Sequence, residues 1–248
     1  MGARAVNDPI LFIPGLLCDA RIFLPQIVHL GGKHVVQVAL PNKGDTVEQM
    51  SEAILATAPP TFALVGQGLG GDVALDILRR DSARVTRVVL ISTDPLAEAP
   101  ASAAARESRI VAAKAGRLKE VILQEYPAGT LADTEWRADV LAVLQDMGLT
   151  LGEGVFLRQS RALQRRPDQQ KTLRRANLPA LIIAGAEDTL LPVRRQDFTA
   201  QLMPHGKLVT IPNAGSLPTL EQPEAVTAAM EDFLNGPMML RVMSRRPD

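Results

Sequence analysis

Three histidines, one cysteine and a few carboxylates in glycine-bounded loops are the residues from which chemistry could be built. The lone cysteine, Cys18, excludes an internal disulfide and a thiolate-rich zinc site. As a thiol it could react, but no histidine is placed to activate it, so a small apolar packing role is expected. Asp188 closes the stretch IIAGAED at 182–188, and an aspartate in so tight a loop readily accepts backbone N–H bonds. The glycines at 66, 68, 70 and 71 follow an apolar run and open a helical pattern, yet they lack the G-x-G-x-x-G spacing of a dinucleotide site. No metal-ligand cluster is evident, and neither a metal nor a cofactor is expected. Asp72 reads as a charge at a helix start, and Ser92 and Asp94 as caps after a strand. Arg194 and Arg195 read as surface helix residues, either of which could pair with Asp188.

Those residues sit in loops that short strands and helices must position. Apolar runs at Ile10–Ile13, 35–40, 62–65, Val85–Ile91, 180–184 and 208–211 alternate with helical patterns at 46–58, from 71 to about 80, and at 224–234. Most of the runs end at glycine or proline. That rhythm predicts a parallel sheet covered by helices. The stretch from about 95 to 176 breaks it: rich in Ala, Arg, Leu and Gln, it predicts three or four helices with breaks at Pro127 and Gly129, then at Gly148 and Gly152. The domain division expected is a core of 1–94 and 177–237, an inserted helical cap of 95–176, and a tail of 238–248.

Composition bounds the partners. The 248 residues suit one large domain with a modest insertion. Lys+Arg and Asp+Glu both number 27, and this zero formal charge argues against nucleic acid, whose phosphates need a basic surface. No apolar run approaches the roughly 18 residues of a membrane span. The first nine residues have no apolar centre, so no signal peptide is expected, and cysteine usage points to the reduced cytoplasm.

Four segments together resemble small bacterial α/β-hydrolases. LFIPGLLCDAR at 11–21 is similar to the oxyanion loop, ALVGQGLGG at 63–71 to the nucleophile elbow, and IIAGAED with Pro192 to the acid loop. IPNAGSLPTLEQP at 211–223 is similar to the histidine loop. They occur in family order, and no single one would be specific. The resemblance implies the α/β-hydrolase fold: a mostly parallel sheet of about six strands flanked by helices, with a helical cap and a pocket beneath it. It also implies that the nucleophile position is Gly68 and the histidine position Ser216, with Asp188 as the acid. Glycine has no side chain with which to attack, and a serine hydroxyl is no base near neutral pH. The nucleophile position of the elbow is commonly strained, and glycine tolerates it. His29 and His34 precede the second strand and His205 the sixth, on the wrong side of the sheet for a site at the carboxyl ends.

The backbone oxyanion donors implied by the resemblance are the N–H groups of Leu16 and Leu69. Two such donors beside a helix N-terminus can bind a carbonyl or carboxylate without reaction. The expectation is therefore a pseudoenzyme of the α/β-hydrolase fold whose triad positions read Gly68, Asp188 and Ser216. It would bind a small apolar molecule or a protein partner through Leu16, Gly68, Leu69 and Ser216. The alternative is a hydrolase-like enzyme for an ester or related acyl or C–C substrate, working by a non-standard mechanism in the same pocket. Under either, Ser216 is expected close enough to Asp188 for a direct or water-bridged hydrogen bond.

Overall fold

The computed structural model describes residues 8–236. The tail expected at 238–248 lies outside the described residues. Six strands, β1 (Ile10–Ile13), β2 (Val36–Val38), β3 (Phe62–Gln67), β4 (Val85–Ile91), β5 (Ala180–Gly185) and β6 (Gly206–Ile211), form one sheet in the order β2-β1-β3-β4-β5-β6. Every pair is parallel. The central strands β1, β3 and β5 are buried along their whole length. That is why they read as continuous apolar runs rather than as alternation. The edge strand β2 is only half-buried and is shorter than the run at 35–40 suggests.

Helices α1 (Leu24–Leu30), α2 (Val47–Leu55) and α3 (Leu69–Asp81) follow the first three strands. Thr46 caps α2 by accepting the Gln49 N–H at 3.2 Å. Between β4 and β5 the chain forms α4 (Pro100–Lys114), α5 (Leu118–Glu125), α6 (Arg137–Leu151), α7 (Glu153–Gln164) and α8 (Gln170–Arg175). These are five helices where the sequence suggests three or four. The last of them, α8, packs between α3 and α9 of the core. Gly148 does not break a helix. It lies inside α6, where a Cβ would press on the Ile122 side chain of α5. Gly152, at φ 80°, is the break between α6 and α7. After β5 come α9 (Val193–Leu202), α10 (Pro218–Glu221) and α11 (Pro223–Asn235). Helix α11 packs with α1, while α2, α3, α8 and α9 pack in series, with α3 and α9 lying on the sheet.

The strand order sets the site. From β1 the chain goes outward to β2 and then returns to β3 on the other side of β1. The loops after β1 and β3 therefore diverge at the sheet's carboxyl edge and leave a crevice there, the usual place for a ligand in such a sheet. Among the described residues no single helix is long and apolar enough to cross a membrane.

Candidate active site

Gly68 stands between β3 and α3 with φ 52° and ψ −120°, a conformation an L-residue rarely adopts. Its N–H donates to Ile91 O at 3.0 Å, and its carbonyl accepts from Gly71 N at 2.8 Å and Asp72 N at 3.2 Å. The turn is thus locked to β4 on one side and to α3 on the other. A Cβ on Gly70 would overlap the Ile13 carbonyl oxygen, so only glycine lets the start of α3 come this close to the end of β1. That approach brings Leu16 and Leu69 to one cavity. Leu69 is the first residue of α3, where N–H groups have no intrahelical partner. The first loop is clamped from above. Tyr126 Oη donates to Leu16 O at 2.9 Å, and the Leu17 N–H donates to Gln159 Oε1 of α7 at 2.9 Å.

Gly68, Asp188 and Ser216 line the same cavity, of about 160 Å³, at the carboxyl edge and beneath the inserted helices. Asp188 Oδ1 accepts the N–H groups of Leu190 at 2.9 Å and Leu191 at 3.0 Å, as a tight-loop aspartate should. Its other oxygen, Oδ2, is buried without a well-formed hydrogen bond among the described residues. Burial, reinforced by the nearby Glu221, pushes its carboxyl up to about 6 against the pull of those N–H groups and of the Ser92 hydroxyl.

Ser216 lines the cavity with Asp188, as expected, but of the direct and water-bridged contacts expected between them the direct one is not formed: its hydroxyl donates to Thr130 Oγ1 at 3.2 Å and its N–H to Thr130 O at 2.9 Å. Its loop is organised instead by Glu221, whose buried carboxylate accepts from the N–H groups of Gly215, Leu217 and, at 2.7 Å, Ala132.

Asp72 lies in the first turn of α3, as expected of a helix-start charge, and it is buried in the cavity wall, 4% exposed, 3.4 Å from Arg166. Burial outweighs the arginine and pushes its carboxyl up to about 7. Arg166 also meets Glu98 at 3.1 Å and Asp94 at 3.8 Å. Arg106 joins Glu98 at 3.2 Å to Glu125 at 3.1 Å. This chain of ion pairs ties the inserted helices to the core beside the cavity. The sequence carried no signal for it, because Arg166 is 94 residues from Asp72.

Asp94 does cap its turn, accepting the Leu96 N–H at 3.1 Å, while Ser92 is buried in the cavity wall with its hydroxyl beside the Asp188 carboxylate but in no well-formed hydrogen bond. Arg195 meets Asp94 at 3.9 Å rather than Asp188, and Arg194 is exposed.

The histidines stand apart. His29 bonds Glu231, His34 the Asp8 carbonyl and His205 Asn177, and none lines the cavity. Cys18 is buried, and desolvation pushes its thiol up to about 12, which makes it an inert packing residue. Among the described residues no group of three or more His, Cys, Asp or Glu is placed to hold a metal ion.

The parallel sheet, the strained turn before α3 and the acid loop define an α/β-hydrolase scaffold, and the chain belongs to the alpha/beta hydrolase family, whose model matches residues 10–229. It is 29% identical over 240 residues to the pimeloyl-[acyl-carrier protein] methyl ester esterase of Aromatoleum aromaticum, covering 90% of this chain and 91% of that protein. The protein of the same description from Nitrosomonas europaea is 26% identical over 214 residues, covering 79% and 82%. Among solved structures, the enol-lactonase from Burkholderia xenovorans LB400 superposes with a TM-score of 0.82 at 21% identity, covering 95% of this chain and 94% of that one. A thermophilic esterase from Thermogutta terrifontis gives 0.81 at 23%, covering 91% and 89%. These structural likenesses speak to fold.

Proposed function

We propose that this protein is a hydrolase-like enzyme for a small acyl ester in which water, not a side chain, is the nucleophile. The observation that carries it is the buried Oδ2 of Asp188, which accepts no well-formed hydrogen bond among the described residues, in the cavity beside the Gly68 turn. A carboxyl held near 6 is largely ionised at neutral pH yet basic enough to accept a proton, which suits a general base. A Cβ at Gly68 would meet only the Gly15 Cα, at 3.9 Å, so the turn leaves room beside Asp188 for a small molecule such as water. In the proposed step Asp188 takes a proton from water as its oxygen attacks the ester carbonyl. The N–H groups of Leu16 and Leu69 stabilise the resulting oxyanion. The C–O bond then breaks, and the alcohol leaves with the proton that Asp188 had taken. The esterase names of the sequence relatives support the substrate class.

A serine route would pass through an acyl-enzyme, whereas this one does not. Intact-mass measurement during turnover of p-nitrophenyl esters therefore tests it. Product should accumulate, slowly by esterase standards, while the protein mass stays unchanged. A stable acyl adduct during turnover would overturn the water route.

Binding without turnover is the second reading, favoured by Gly68 and Ser216, which remove nucleophile and base together. Leu16, Gly68, Leu69 and Ser216 would then contact a small apolar molecule or the inserted side chain of a protein partner. In that case p-nitrophenyl esters give no turnover above a control protein, and esters or carboxylic acids raise the melting temperature. Under either reading we infer a cytoplasmic protein without nucleic acid or membrane as a partner, on the grounds of its single cysteine and zero formal charge.

A further inference from the structure

Ser92 is the residue that follows β4, and three features set it apart. Its φ is 42°, a left-handed conformation that strains a non-glycine residue. Its N–H is tied to Ile183 O of β5 at 3.1 Å, so its position is fixed by the strand that leads to Asp188. Its side chain lines the cavity, 5% exposed, and its hydroxyl has no well-formed hydrogen bond among the described residues. Buried polar atoms left in that state are costly and call for a partner. Asp188, 4% exposed, presents the matching orphan in the same cavity.

We propose that Ser92 is the positioning residue that, with Asp188, holds the attacking water. One water satisfies both orphans: one O–H goes to Asp188 Oδ2 and the other to Ser92 Oγ. Its lone pair then faces the cavity, where the Leu16 and Leu69 N–H groups would hold a carbonyl. The Ser92 proton remains directed at the Asp188 carboxylate, whose affinity for protons it lowers from close range. A hydroxyl is suited to this double role because it donates once and accepts twice. The inference deepens the proposed function and rests on it.

The other charges facing the site are Glu221 of α10, Asp72 of α3, Asp94 after β4, Arg106 of α4, Glu125 of α5, Arg166 after α7 and Arg195 of α9. A change at Ser92 alters none of them. Two variants separate chemistry from folding. Ser92→Ala removes the hydroxyl and keeps the strain, whereas Ser92→Gly removes both and should fold at least as well as the parent. The readouts are the carboxyl-carbon NMR titration of Asp188 and the pH–rate profile for p-nitrophenyl acetate. The Asp188 titration and the acid limb of the profile should move up together by about half a unit or more. The maximal kcat should fall about tenfold or more while KM stays within about twofold. An Asp188 titration unchanged in Ser92→Gly overturns the inference, whatever the rates. A moved titration with an unchanged rate also overturns it, because the hydroxyl would then touch the carboxylate without holding water. If instead Asp188→Asn leaves parental turnover intact, it is the proposed function that fails, and the NMR titration still decides whether Ser92 reaches Asp188.

Discussion

Restoring a serine at the elbow should weaken the fold even though there is room for it. A Cβ added at Gly68 would have only the Gly15 Cα near it, at 3.9 Å, an ordinary contact. The penalty therefore comes from the backbone, fixed at φ 52° and ψ −120° by hydrogen bonds to Ile91, Gly71 and Asp72. Holding a non-glycine residue there costs about 1–3 kcal/mol. Part is offset because serine restricts the unfolded chain more than glycine does, by about 0.4–1 kcal/mol. The midpoints leave a net loss of about 1.3 kcal/mol, which in a domain of this size lowers the melting temperature by about 3–5 °C. Calorimetry on Gly68→Ser measures it directly. Gly70→Ala is the steric control. Its Cβ would collide with the Ile13 carbonyl and come within 2.7 Å of Pro14 O, both backbone atoms, so it should lose more stability than Gly68→Ser. A Gly68→Ser protein as stable as the parent would show that the turn is not strained there, and the elbow assignment would fall with it.

Gly68→Ser combined with Ser216→His should generate esterase activity well above either single variant, because nucleophile and base act as a unit; p-nitrophenyl acetate hydrolysis by all three proteins checks this. Asp188→Asn should stabilise the protein at pH 8. The folded carboxyl titrates near 6 against 3.8 when unperturbed, so the native state binds protons more readily than the unfolded state and its stability falls as pH rises through that window. The gain, on the order of 2–3 kcal/mol above pH 6, should vanish below about pH 4 in denaturant titrations. Cys18, buried with its thiol pushed up to about 12, should react with a thiol reagent only after denaturation, as absorbance at the leaving-group wavelength will show.

The sheet was legible because its central strands are buried on both faces, so each appears as a short apolar run such as Ile10–Ile13 or Val85–Ile91. The loops at Gly68 and Asp188 were legible because tight turns demand particular residues. Helix α1 was not, since Leu24 and Val28 point to solvent and blur its apolar face. The partners of Ser216 and Asp72 were not legible either. Thr130 and Arg166 come from the inserted segment, 86 and 94 residues away, and no local period encodes such contacts. Ser92 read as a cap because strand ends favour serine; only the positive φ and the cavity around it show another use.

Asp188→Asn tests the central claim most directly, because the amide keeps an acceptor for the Leu190 and Leu191 N–H groups while losing the ability to take a proton. Turnover of p-nitrophenyl acetate by the parent and by this variant is to be compared at pH 8, with binding of a non-hydrolysable ketone analogue followed by thermal shift. The account predicts that kcat falls by about 10² or more while the analogue still binds. Equal turnover in the two proteins would contradict it.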